Sequence, residues 1–118
     1  MQIKLAPLSA PYYQGARLLV AADCTAYAYN GFHDAFIEDR VTLIGCPKLD
    51  GVNYAAKLAE ILAGNDVREI VVTRMTVPCC GGLEFAVKSA LQASGKRIPL
   101  RVAVIGTDGK IAADRAAD

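Results

Sequence analysis

A length of 118 residues points to one domain, and a chain of that size hides roughly two-thirds of its unfolded surface, enough for a core without covalent staples. With 13 Lys+Arg against 12 Asp+Glu the net charge is +1, which argues against a basic nucleic-acid binder. A hydrophobic fraction of 53% beside 21% charged residues excludes a disordered chain.

Residues 1–15, with Ile3, Leu5, Pro7 and Pro11, read as an arm or a short edge strand. Residues 16–22 (ARLLVAA) form the first apolar run, and its continuity suits a strand buried on both faces, the habit of parallel sheets covered by helices. A weak helical stretch at 31–38 would bury Phe32, Phe36 and Ile37, and 41–45 (VTLIG) is the second strand. Over 52–63 the apolar residues Ala55, Leu58, Ile61 and Leu62 share one face while Lys57 and Glu60 share the other, so a helix is expected, stopped by Gly64-Asn65. Residues 69–73 (EIVVT) form the third strand. Over 81–94 a second helix carries the stripe Leu83, Ala86, Val87, Ala90 and Leu91, with Glu84, Lys88 and Gln92 outward and Gly95 as its end. Residues 100–106 (LRVAVIG) complete the strands, and 110–118 are expected to fray.

Strands alternating with helices imply βαβ units with right-handed crossovers. The expected fold is therefore a small Rossmann-like three-layer α/β sandwich, a single domain spanning 1–118, with a four-stranded parallel sheet in the order 2-1-3-4. Met1 to Pro7 holds no apolar run long enough for a signal-peptide core, and no stretch approaches the roughly 18 to 20 apolar residues of a membrane span. The expected location is the cytoplasm, with no membrane and no nucleic acid as partner.

In a reducing compartment structural disulfides are rare, so four cysteines in so short a chain suggest metal binding or redox chemistry, with small apolar core residues as the plain alternative. Cys24 follows the first strand, Cys46 ends the second, and Cys79-Cys80 lie between the third strand and the helix opening at Gly81. All four thus fall at the carboxyl ends of strands, where open α/β sheets hold their ligands. No Cys-x-x-Cys knuckle is present, which weakens a structural zinc site. A vicinal pair can hardly place both sulfurs on one tetrahedral ion, whereas a cluster offers each thiolate a different iron, and four thiolates are the usual complement of a 2Fe-2S or 4Fe-4S centre. An iron-sulfur cluster, 4Fe-4S first, held by Cys24, Cys46, Cys79 and Cys80, fits best. A 2Fe-2S cluster, zinc and a metal-free thiol redox pair are the alternatives; in the last, Cys79 would be the nucleophile.

The neighbouring residues suit a negatively charged cluster. Gly81-Gly82 opens a helix whose N–H groups and positive dipole end would point towards Cys79 and Cys80. Pro47 and Pro78 restrict the flanking loops, and Lys48 and Arg74 could add positive charge. Each has a plain reading as an ordinary loop residue. Tyr27 could line the cluster but reads first as cover for the core edge, and His33, the only histidine, could be a fifth ligand or a proton carrier, with a surface histidine as its plain reading.

The strings Leu18-Leu19-Val20-Ala21-Ala22-Asp23-Cys24, Gly45-Cys46-Pro47-Lys48-Leu49-Asp50 and Pro78-Cys79-Cys80-Gly81-Gly82 resemble the C-terminal domain of ferredoxin-like 4Fe-4S iron-sulfur proteins of bacteria and archaea. The resemblance covers about residues 16 to 106. In those proteins such a domain usually follows a ferredoxin module with a Cys-x-x-Cys-x-x-Cys motif, which these 118 residues do not contain. A looser similarity, to the cysteine-rich domains of heterodisulfide reductases, supports adjacent cysteines as iron ligands. The resemblance implies a cluster-binding protein in electron transfer or redox sensing, serving a redox partner protein; a homodimer would bury an oxygen-sensitive cluster edge against a second copy. An open iron site would instead imply a small enzyme, for which the chain offers no evident acid–base pair.

Overall fold

The computed structural model describes residues 2–3, 6–22, 25, 31, 36–37, 40–45, 54–76, 81–106 and 108–116. Five strands, β1 (Arg17–Ala22), β2 (Val41–Gly45), β3 (Glu69–Met75), β4 (Leu100–Ile105) and β5 (Ile111–Ala116), form one sheet in the order β2-β1-β3-β4-β5. The first four are parallel, as expected, and β5 runs antiparallel along β4. Two helices, α1 (Tyr54–Gly64) and α2 (Gly81–Ser94), join β2 to β3 and β3 to β4 and pack on each other.

Successive strand residues face opposite sides of a sheet, and Leu18, Leu19, Val20, Ala21 and Ala22 of β1 are all buried, as are Ile70, Val71, Val72 and Thr73 of β3. Both faces of the central strands are therefore covered. Leu58, Ile61 and Leu62 of α1 and Leu83, Val87 and Ala90 of α2 bury the expected stripes, and Phe36, from the β1-to-β2 connection, is buried in the same core. Ile37, also expected to be buried, packs partly buried against that core, while Phe32 and the other residues of 31–38 except Gly31 lie outside the described residues.

The helix ends have local causes. After Gly64, the buried Asn65 amide donates to the carbonyls of Ile61 and Leu8, each at 2.8 Å, and its oxygen accepts from Gln14 Nε2 at 2.9 Å. The end of α1 is thereby tied to the N-terminal segment. There Gln2 bridges Ile44 in parallel beside β2, Ile3 is buried, and the buried Tyr13 hydroxyl donates to the Pro7 carbonyl at 3.0 Å. α2 ends where Gly95 takes φ +71, a conformation that costs an L side chain roughly 1–2 kcal/mol.

The sequence expectation that residues 110–118 fray is corrected over Ile111–Ala116, which form β5. A tight turn returns the chain: the Gly106 N–H donates to the Lys110 carbonyl at 2.8 Å, Gly109 adopts φ +83, and Asp108 Oδ1 accepts from the Lys110 N–H at 3.1 Å. All six β5 side chains are exposed, so the strand carries no apolar pattern. It is held by the backbone ladder and by a two-pronged Arg101–Asp114 pair at 2.7 and 2.9 Å.

Candidate functional site

β2 and β1 end level, with Ala22 paired to Gly45, and β3 ends just beyond them: Ala21 pairs with both Ile44 and Thr73, and β3 runs on to Met75. The chain leaves β1 outward to β2 and returns across it to β3, so the order reverses between β1 and β3, and that reversal opens the crevice in which such sheets bind ligands. In sequence, Cys46 follows Gly45 directly, Cys24 is the second residue after Ala22, and Cys80 directly precedes Gly81. The four cysteines themselves, with Tyr27, His33 and Lys48, lie outside the described residues. Among the described residues no group of three or more His, Cys, Asp or Glu is placed to hold a metal ion. Gly81 and Gly82 form the first residues of α2, where the sequence puts them.

Thr25, the residue after Cys24, is fully buried. Its hydroxyl donates to the Ala22 carbonyl at 2.7 Å, which caps the end of β1, and lies 3.2 Å from the hydroxyl of buried Thr73 on β3. Because the Thr25 proton is taken by Ala22, the Thr73 hydroxyl is the donor between the two. The pair pins the chain beyond β1 over β3, at the order reversal.

Arg74 at the end of β3 does not stand free beside the cysteine edge. Its Nη1 is 3.1 Å from Glu84 Oε1 in the first turn of α2. Lys88 Nζ, one turn further along the helix, lies 2.8 Å from Glu84 Oε2, and Arg115 Nη2 of β5 lies 3.2 Å from each carboxylate oxygen. Glu84, expected to face outward, is 8% exposed; β5 carries Arg115 across and closes the group. Burial alone would raise the Glu84 pKa, but hydrogen bonds from Lys88, Arg74 and Arg115 outweigh it and bring the carboxyl down to about 2. Three cations around one carboxylate leave a surplus of positive charge beside the start of α2. The Glu84–Lys88 spacing was legible as a helical pair; Arg115 was not, because its strand carries no pattern.

Comparison with known proteins places this architecture. A family description, Rossmann-like domain, matches residues 10–117. The chain belongs to the Rossmann-like domain family. An uncharacterized protein of Archaeoglobus fulgidus is 27% identical over 111 residues, covering 94% of this chain and 79% of the relative. No solved structure matches the chain. Among the described residues of this Rossmann-like domain, no helix is long and apolar enough to cross a membrane.

Proposed function

We propose that the chain is an iron-sulfur protein of the ferredoxin-like 4Fe-4S kind that acts in electron transfer or redox sensing with a redox partner protein. The observation that carries the reading is that β2, β1 and β3 end side by side at one edge of the sheet, combined with a sequence in which a cysteine follows β1 and β2 within two residues and a vicinal pair directly precedes α2. The donor set fits: four thiols are the complement of such a cluster, and a cysteine pair can serve two irons. Cys24, Cys46, Cys79 and Cys80 would hold it, and the cluster would supply one-electron transfer.

Features of this chain favour negative charge at that edge. The first N–H groups of α2 have no partner within the helix, and the helix dipole adds positive potential at Gly81 and Gly82. The surplus cations around Glu84 act in the same direction. The Thr25–Thr73 pair anchors the residue next to Cys24 to two strands at once, which limits movement of that segment on a change of charge.

Protein prepared without oxygen is expected to be brown, with iron and acid-labile sulfide in matching amounts and a paramagnetic resonance signal on reduction. Cys24→Ala, Cys46→Ala and Cys79→Ala should each lose most of the iron, and Cys80→Ala tests whether both members of the pair ligate. Colourless protein with stoichiometric zinc would overturn the proposal.

A further inference from the structure

The opposite edge of the sheet carries a different chemistry. Three adjacent parallel strands each start at an arginine: Arg40 immediately precedes β2, Arg17 opens β1, and Arg68 immediately precedes β3. With the order β2-β1-β3 these starts lie side by side, and together with Tyr12, Gly15, Ala16 and Val41 they line a cavity of about 530 Å³. That volume is in the range of small-molecule sites. The space beside Gly15 in its lining is open: an added Cβ there would meet nothing within 4 Å.

The arginines are unequally committed. Arg40 is fixed, with a side chain only 13% exposed, Nη1 donating to the Phe36 carbonyl at 2.9 Å and Nη2 3.8 Å from Glu69 Oε1. Arg17 Nε is 3.8 Å from that same oxygen, and half of its side chain is exposed. Two guanidinium groups thus share one carboxylate oxygen, each beyond hydrogen-bond distance. The Arg68 side chain is exposed and makes no hydrogen bond or ion pair among the described residues. Its backbone N–H donates to the Ala16 carbonyl at 2.7 Å, which fixes its origin beside β1. Among the described residues the lining carries three guanidinium groups and no carboxylate, and Glu69 is the one carboxylate in ion-pair range of Arg17 and Arg40, so the described cavity has a surplus of positive charge. A phosphate monoester or diphosphate group suits such a lining better than a single carboxylate, because it carries more negative charge and offers the several oxygens that guanidinium forks bind in pairs.

The geometry points to this cavity as a binding site for the phosphate group of a small molecule, gripped by Arg17 and Arg68 against an Arg40 already set in place. The exposed rim of Tyr12 offers an apolar surface to whatever the phosphate carries. The site lies at the amino ends of the strands, away from the cysteine edge, and stands or falls independently of the iron-sulfur proposal.

The test is calorimetric titration of the full chain at neutral pH and low salt with inorganic pyrophosphate, ribose 5-phosphate, ADP and a short single-stranded oligonucleotide. Pyrophosphate and at least one of the two organic phosphates should bind in a single-site isotherm. Arg68→Ala and Arg17→Ala should each weaken binding on the order of tenfold, equivalent to about 1.4 kcal/mol, and Arg68→Lys should retain part of it. Tighter binding of ADP than of ribose 5-phosphate and pyrophosphate would assign the ligand as a nucleotide; equal binding of all three would assign the phosphate alone. No heat of binding at about ten millimolar pyrophosphate, a dissociation constant above what a built site gives, would overturn the proposal. So would unchanged affinity in both alanine variants, or an oligonucleotide binding more tightly than every small phosphate. Arg68 and Arg17 are exposed, so loss of folding is not expected to confuse the result, and a thermal melt of each variant checks it.

Discussion

The Glu84 carboxylate joins three elements through charge: β3 through Arg74, α2 through Lys88 and β5 through Arg115. Replacing it by Gln keeps the shape and removes the charge, leaving three cations facing one another. The size of the effect follows from its titration. The carboxyl sits at about 2 in the fold against an ordinary 4.5, and at roughly 1.4 kcal/mol for each pH unit this corresponds to about 3.5 kcal/mol. Lys88 and Arg115 are 42% and 46% exposed, so solvent screens part of it and about 2 kcal/mol is expected. The direction is set by a folded pKa below the unfolded one. The contribution is fully present above pH 4.5 and is lost as the pH falls towards 2, because protonation favours the unfolded chain. In urea melts Glu84→Gln should therefore be about 2 kcal/mol less stable than the parent at pH 7, a drop of roughly 8 °C in Tm for a domain of this size. The gap between the two proteins should close as the pH is lowered from about 5 to 2.5. A gap below about 0.5 kcal/mol at pH 7, or one that does not change with pH, would refute the assignment of Glu84 as a charged junction.

Asn65→Leu should cost about 2–3 kcal/mol, read as a lower urea midpoint with unchanged slope, because it leaves the carbonyls of Ile61 and Leu8 and the Gln14 amide without their buried partner. Thr25→Val and Thr73→Val should each cost about 1–2 kcal/mol, and the double variant less than the two together; strict additivity would show that the hydroxyls do not interact. Gly109→Ala, at φ +83, should cost about 1 kcal/mol and should speed amide exchange across Ile111–Ala116 more than in β1, because the turn it strains is the one that returns β5.

The parallel sheet was legible because its strands are continuous apolar runs of fixed length separated by helical stripes. The second helix has the bounds that Gly81 at one end and Gly95 at the other imply. β5 escaped because Ile111 to Ala116 bury nothing: its stability lies in backbone pairing and in two ion pairs, and neither leaves periodicity. The Asp108-Gly109 pair between two runs was the available signal of a hairpin. Glu84 was misread for the same reason, since the cation that buries it arrives on the unrecognised strand. At the cysteine edge, chain positions relative to strand ends could be read from sequence, but the Thr25–Thr73 contact could not, since it joins residues 48 positions apart and depends on β1 and β3 being neighbours. The same holds for Arg17, Arg40 and Arg68, which become a group only through the strand order.

The central position of β1 has a consequence for synthesis. Its two neighbours are both made after it: β2 ends at Gly45 and β3 at Met75. A chain emerging from the ribosome therefore carries the run Leu18-Leu19-Val20-Ala21-Ala22, free of charge and proline, with one edge unmatched until β3 has been made. Such a run is the kind of segment that pairs with other chains when left open. Rapid translation through β3, or a chaperone that shields β1, should decide the soluble yield more than any single contact in the finished fold.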